Sequence, residues 1–138
     1  MVLACAGRDT GRRGVISIDI ERLPCVDYLL NVNGFTTDDI TLVDIDAAIV
    51  AKNWPAFRQN QDISFLFIDA DHSETGVRSD YRMYSPLVRK GGMIAFHDIA
   101  ITRPEYGVRK LWSELKTRHP TRECLGKPLA YGLGLLYV

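Results

Sequence analysis

The sequence predicts an α/β fold built on a doubly wound, mostly parallel sheet, and three observations support this prediction. Short apolar runs alternate with amphipathic segments along the 138 residues, which is the pattern of repeated strand–helix–strand units. The runs Ile63–Ile68 and Gly91–Phe96 are continuously apolar and bounded by glycine or charge, as buried parallel strands are. The chain closes with a further apolar run, Leu133–Val138, which we expect to form an antiparallel C-terminal strand.

The strands are assigned from β-branched content and apolar length. The first two runs are rich in valine, isoleucine and threonine, which favour strands. The third and fourth are the apolar runs already described, and a short fifth run is expected to form a hairpin with the last. In chain order the predicted strands are Val15–Ile20, Ile40–Ile45, Ile63–Ile68, Gly91–Phe96, Arg122–Leu125 and Leu133–Val138.

The helices are assigned from capping residues and apolar spacing. Pro24 suits a helical first turn, and Gly34 ends the helix that it begins. Asp46 is a candidate N-cap for a helix from Ala47 to about Phe57, and Ser73 for the helix after the third strand. That helix carries an apolar stripe at steps of four, three and four, formed by Val77, Tyr81, Tyr84 and Val88. A last helix runs from Gly107 to about Arg118.

Composition limits the classes of function. The length and a hydrophobic content of 46% favour one domain, residues 1–138, with one core. Seventeen basic residues balance seventeen acidic ones, which argues against nucleic acid or an anionic membrane surface as a partner. No apolar run reaches transmembrane length, and the N-terminus lacks the basic region of a signal peptide. Three cysteines without a CxxC spacing suggest core residues in a reducing cytoplasm rather than disulfides or a zinc site.

Two acidic-histidine clusters follow the third and fourth predicted strands. Asp69, Asp71 and His72 come after one, and His97 with Asp98 after the other. Ligands of open α/β sheets bind beyond the carboxyl ends of strands, where side chains of adjacent strands are close enough to share one ion. Oxygen-rich ligands favour Mg²⁺ or Mn²⁺, and a histidine ligand shifts the preference towards manganese or iron. The alternative is that these polar residues merely cap the following helix.

Asp19 ends the first predicted strand. In nucleotide-binding α/β folds an acid at such a position accepts hydrogen bonds from ribose hydroxyls. An exposed loop acid with no ligand is an equally good interpretation of an isolated aspartate.

The order of these features resembles that of the class I S-adenosylmethionine-dependent methyltransferases. Within that class the chain is most similar to the metal-dependent O-methyltransferases of sugar or catechol-like hydroxyls and to the related proteins labelled cephalosporin hydroxylase. The resemblance covers about residues 3 to 138. The segments that carry it are Val15–Asp19, Phe65–Ser73, Gly76–Val77, Asp80–Tyr81, Tyr84–Val88, Gly91–Asp98, Gly107–Val108 and Leu111–Trp112.

The resemblance implies a Rossmann-like methyltransferase fold and a set of roles for the two clusters. Asp69, His97 and Asp98 stand where the family has its metal ligands, and His72 stands where it has its general base. A divalent ion, Mg²⁺ or Mn²⁺, would then lower the pKa of a hydroxyl on a small-molecule substrate, and S-adenosylmethionine would supply the methyl group.

The resemblance also assigns cofactor contacts. Asp19 matches the acid that binds the cofactor ribose, and Asp46 matches the acid near the adenine. The family's first strand and glycine-rich loop precede the point where this chain begins, because Met1–Arg8 aligns with the helix after that loop. Gly7–Gly11 is a weak substitute for a glycine-rich loop.

Two other functions stay open from the sequence. The chain is expected to form a homodimer, because the missing central strand would leave backbone groups unpaired. On that basis it is alternatively a non-catalytic methyltransferase-fold remnant with a structural or binding role. A metal-dependent hydrolase using the same carboxylates is the third hypothesis, although the sequence lacks a nucleophile motif such as GxSxG.

Overall fold

The computed structural model describes Cys5 and residues 14–58, 62–126 and 129–138. The strands of these residues form two sheets that are hydrogen-bonded separately. The predictions for residues 1–13, including the glycine-rich substitute at Gly7–Gly11, lie outside the described residues apart from Cys5. The chain forms two compact units, residues 1–50 and 51–138, and each is described by itself. In the described segments no helix has the length and apolarity that a membrane span requires.

The first unit is a parallel two-stranded sheet with its connecting helix. Its elements are β1 (Val15–Asp19), α1 (Cys25–Val32), β2 (Ile40–Asp44) and the start of α2 (Ala47–Lys52). The strands pair in parallel, with Asp19 opposite Asp44 at their carboxyl ends. Phe35 and Ile40 are buried against Leu30, so a small apolar cluster lies beneath the sheet.

The second unit is a four-stranded sheet in the order β3-β4-β6-β5. Its elements are α3 (Trp54–Arg58), β3 (Ile63–Ile68), α4 (Glu74–Tyr84), a 3₁₀ turn (Ser85–Leu87), β4 (Val88–His97), α5 (Val108–Leu115), β5 (Thr121–Gly126) and β6 (Leu129–Tyr137). Strands β3 and β4 are parallel, whereas β6 is antiparallel to both β4 and β5. The α/β class and the antiparallel C-terminal strand are therefore confirmed.

The element boundaries differ from the sequence predictions at identifiable points. The helix expected from Ala47 to Phe57 is two helices separated at Asn53. The helix after β3 ends at Tyr84 because Pro86, in the 3₁₀ turn, has no N–H to continue it. As a result β4 begins at Val88, which is buried in a strand rather than on a helical stripe. The last strand begins earlier than predicted, at Leu129.

The cysteines are more exposed than the sequence predicts. All three are free thiols, but Cys5 and Cys25 are exposed and Cys124 is half-buried. The expectation that they are core residues is therefore wrong.

The core of the second unit lies between its sheet and the helices α4 and α5. Ile94 and Phe96 on β4 and Leu136 on β6 are at most 1% exposed and face the same side of the sheet. Trp112 on α5 packs with its ring centroid 5.8 Å from that of Phe96. Gly134 makes this possible, because a Cβ there would lie 2.7 Å from the Trp112 ring. The carboxyl ends of β3 and β4 are thereby held by a close-packed apolar layer.

We predict that Leu136→Ala lowers the free energy of unfolding by about 2–5 kcal/mol, because it removes a buried side chain and leaves a cavity. Leu125→Ala is the matched control, since Leu125 is a strand leucine of the same unit that is 59% exposed. Urea denaturation followed by circular dichroism measures both. Equal losses in the two variants would show that the buried cluster is not the core of this unit.

Candidate metal and active site

Four side chains that could bind a metal converge at the carboxyl ends of β3 and β4. They are Asp69, His72, His97 and Asp98, each offering one ligand atom, and these atoms all lie within 4.8 Å of one another. The pairing of Ile68 with Phe96 in the parallel ladder places the next residue of each strand side by side. The sheet register, rather than a loop, thus brings Asp69 and His97 together.

The distances within the cluster show two imidazoles facing the same two carboxylates. His72 Nε2 lies 3.3 Å from Asp69 Oδ1 and 3.1 Å from Asp98 Oδ2. His97 Nδ1 lies 3.2 Å from Asp69 Oδ1 and 2.9 Å from Asp98 Oδ1. The two histidines and Asp69 are about one-third exposed at their side chains, whereas that of Asp98 is 7% exposed. Three of the four side chains are therefore partly accessible to solvent, whereas Asp98 is buried.

Asp98 is the most constrained residue of the cluster. Its φ angle of 64° is the only positive value among the described non-glycine residues, and aspartate tolerates this left-handed region better than most residues. Its buried Oδ1 makes no hydrogen bond, although His97 Nδ1 lies 2.9 Å away. A buried carboxylate oxygen without a hydrogen bond is costly unless a cation is present. The residues of the cluster therefore fit a divalent metal ion.

His72 is held in place by the loop that precedes α5. The Gly107 N–H donates to the His72 carbonyl at 2.7 Å, and the Tyr106 ring stacks on the imidazole with centroids 5.0 Å apart and planes at 26°. Gly107 is essential to this approach, because a Cβ there would lie 2.0 Å from the Glu74 backbone. His72 is thus held both by a stacking contact on its ring and by a hydrogen bond to its main chain.

Tyr106 is a residue that sequence reasoning missed. Its only sequence signal is an aromatic directly before Gly107, the glycine at which the last helix was expected to begin. An aromatic stack on His72 depends on how the loop folds back over the strand ends, and no spacing along the chain specifies that contact.

Ion pairs join the first turn of α4, next to His72, to α5. Hydrogen bonds from Lys110 and Arg78, at 2.9 and 3.1 Å, lower the pKa of the Glu74 carboxyl. Arg78 also pairs with Glu114, which raises the pKa of Arg78 and lowers that of Glu114. These groups are exposed or half-buried, so the pairs orient the helices more than they stabilise the fold.

Asp71 lies outside the four-residue cluster, although it belongs to the same sequence motif. Its Oδ1 accepts a hydrogen bond from the Ser73 N–H at 2.9 Å, which lowers the pKa of the Asp71 carboxyl. Ser73 in turn caps α4 by accepting from the Gly76 N–H. Asp71 therefore shapes the turn into α4, as the helix-capping interpretation of this motif predicts.

Asp19 and Asp46 belong to the first unit, at the carboxyl ends of its two strands. Both are exposed. Asp19 Oδ1 accepts from the Glu21 N–H at 3.3 Å, and Asp46 Oδ1 accepts from the Ala48 N–H at 2.7 Å. Asp46 is thus the predicted N-cap of α2, and both carboxylates retain oxygens that are accessible to a ligand.

Comparison with known proteins assigns the family. Residues 1–99 match the family described as a methyltransferase domain, and this match covers more than half of the 138 residues. The chain therefore belongs to the methyltransferase-domain family. No protein of curated function is significantly similar to it in sequence.

Solved structures of low sequence identity share the fold. The O-methyltransferase TomG from Streptomyces achromogenes, involved in tomaymycin synthesis and solved with S-adenosylmethionine, has a TM-score of 0.65 at 15% identity over 89% of this chain and 60% of its own. An O-methyltransferase from Bacillus cereus, solved with S-adenosylhomocysteine, has a TM-score of 0.60 at 14% identity over 90% and 62%. The chain thus spans about three fifths of the length of these two enzymes.

A third structure of this fold contains a metal ion. The MycE methyltransferase of the mycinamycin biosynthetic pathway, solved with Mg, S-adenosylhomocysteine and mycinamycin VI, has a TM-score of 0.56 at 16% identity over 91% of this chain and 36% of its own.

Proposed function

We propose that this chain carries out S-adenosylmethionine-dependent, divalent-metal-assisted O-methyl transfer to a small hydroxylated substrate. The observation that carries the proposal is the cluster of two carboxylates and two imidazoles in which a buried Asp98 oxygen lacks a hydrogen bond. Family membership supports methyl transfer, and the related folds include enzymes solved with S-adenosylmethionine and with Mg. The cytoplasm is the proposed compartment, since all three cysteines are free.

Each residue of the cluster has a role in this proposal. Asp69, His97 and Asp98 would hold the ion, either Mg²⁺ or Mn²⁺. When bound, the ion lowers the pKa of a substrate hydroxyl and orients it. His72 accepts the hydroxyl proton, because imidazole is the side chain best suited to proton transfer near neutral pH. Tyr106 keeps the imidazole ring aimed into the cluster.

The carboxylates of the first unit are proposed to bind the cofactor. Asp19 would accept hydrogen bonds from the ribose hydroxyls, and Asp46 would contact the adenine side. Both lie at strand ends, where nucleotide-binding α/β folds bind their ligands, and both are exposed.

We predict that the full chain binds S-adenosylmethionine in isothermal titration and that Asp19→Ala weakens binding roughly tenfold, through loss of a hydrogen bond to a charged group. Asp38→Ala is the matched control, because Asp38 is an exposed acid of the same unit outside the proposed site. A folded wild-type chain that binds no S-adenosylmethionine, with or without Mg²⁺, would refute the proposed methyl transfer.

We predict that Mn²⁺ at about 100 times its dissociation constant raises the free energy of unfolding of the wild type by about 2.7 kcal/mol, since a ligand that binds only the folded state stabilises it. Asp98→Asn should abolish most of this gain. Asp62→Asn, which changes an exposed acid just before β3 at the strand's opposite end, should keep it. Equal stabilisation of both variants by Mn²⁺ would contradict the assigned site.

A second candidate function is a homodimeric structural or binding protein without catalysis. The observation that favours it is the position of β3 at the edge of the four-stranded sheet, with Phe67 on that strand 43% exposed. Edge strands with apolar side chains are templates for pairing with a second chain. This candidate and the enzyme differ in cofactor binding, which the titration with S-adenosylmethionine decides.

If the chain is a homodimer, we predict that multi-angle light scattering at micromolar concentration gives twice the mass of one chain. Phe67→Lys should shift the population towards monomer, because a charge on an edge strand opposes pairing. Tyr137→Lys is the control, as Tyr137 is 42% exposed on the inner strand β6. A wild-type chain of monomer mass would remove the dimer from the proposal.

A further inference from the structure

Two ring nitrogens, rather than one, point into the centre of the cluster. His72 presents Nε2 and His97 presents Nδ1, and each nitrogen lies between 2.9 and 3.3 Å from an oxygen of Asp69 and an oxygen of Asp98. The two imidazoles are therefore nearly equivalent in position. These distances do not distinguish one histidine as a metal ligand from the other as a residue that does not bind the ion.

Both imidazoles are also held in these orientations by aromatic neighbours. Tyr106 stacks on His72 at 5.0 Å, and Tyr131 meets the His97 ring edge-on at 6.3 Å and 80°. Between them lies Asp98, whose side chain is 7% exposed and whose Oδ1 makes no hydrogen bond. Two oriented nitrogens beside a buried, unsatisfied oxygen are what a preorganised metal site requires.

The donor set indicates which ion fits. Mg²⁺ prefers oxygen ligands in octahedral geometry and retains several waters, whereas imidazole nitrogens suit first-row transition metals such as iron, nickel, copper and zinc. We propose that Asp69, His72, His97 and Asp98 form a two-nitrogen, two-carboxylate site that selects a first-row transition-metal ion over Mg²⁺, with both imidazoles as ligands. This proposal deepens the metal assignment of the proposed function and rests on it.

The inference gives His72 two roles in succession. A nitrogen lone pair cannot bind an ion and accept a proton at the same time. His72 would therefore be a ligand of the ion while no substrate is present, and it would accept the proton once a substrate hydroxyl occupies the site. His97 has the single role of ligand, which is consistent with its place within β4.

The test replaces each nitrogen by an amide of similar reach and measures metal binding directly. Glutamine presents its amide near the position of Nε2, so His72→Gln is the variant there. Asparagine presents its amide near that of Nδ1, so His97→Asn is the second variant. His119→Gln is the matched control, because His119 is the third histidine of the chain and lies just beyond α5. Isothermal titrations with CoCl₂ and with MgCl₂, and the visible absorption spectrum of the Co²⁺ complex, are recorded for all four proteins.

We expect the wild type to bind Co²⁺ at least about a hundredfold more tightly than Mg²⁺, and each of the two variants to lose roughly tenfold or more in Co²⁺ affinity. Mg²⁺ affinity should change by less than about threefold, because an amide oxygen is an acceptable ligand for Mg²⁺. The Co²⁺ absorption bands should shift in both variants and stay unchanged in His119→Gln.

Three results would overturn the inference. Equal affinity of the wild type for Co²⁺ and Mg²⁺ would do so, as would an unchanged Co²⁺ spectrum in His72→Gln, which would leave His72 as a base only. Loss of Co²⁺ binding in His119→Gln would show that the ion binds elsewhere. In each case S-adenosylmethionine binding by the wild type is measured separately, so failure of this inference is distinguishable from failure of the proposed methyl transfer.

Discussion

The parallel register between β3 and β4 is the constraint on which the site depends. Ile68 pairs with Phe96, and the preceding pairs follow in step, so Asp69 and His97 leave the two strands at the same level. A slip of one residue would turn every side chain of β4 to the opposite face. It would expose Ile94 and Phe96, which are at most 1% exposed, and it would separate the carboxylates. The apolar core thus fixes the geometry of a polar site that lies beyond it.

The site itself opposes folding. Two carboxylates lie close together, one of them is buried, and Asp98 is held at a φ of 64°. Left-handed backbone at a non-glycine residue costs of order 1–3 kcal/mol, and a buried carboxylate oxygen without a partner adds a desolvation cost. The packing of Phe96, Trp112 and Leu136 stabilises the unit against these costs. A cation at the cluster would offset them further, which is why we connect stability and metal binding in this chain.

The sequence alone predicts the strand ends better than the side-chain contacts. Asp69 and Asp98 could be placed at one edge because each follows an apolar run and parallel strands end together. The stacking of Tyr106 on His72 could not, because it depends on a loop conformation set by Gly107. The start of β4 was misplaced because Gly91 and Gly92 suggested a boundary, whereas Pro86 is the residue that ends the helix. The similar positions of His72 and His97 relative to Asp69 and Asp98 could not be predicted either, since the resemblance assigns the two histidines different roles.

The proposed chemistry divides along the chain. The residues proposed to bind the ion and to move the proton all lie between Asp69 and Asp98 in the second unit, while the carboxylates assigned to the cofactor lie in the first. The proposed metal site therefore depends only on the register of β3 and β4 and on the loop that carries Tyr106, and its test is independent of S-adenosylmethionine binding. A metal site that persists without cofactor binding would assign the second unit a binding function of its own.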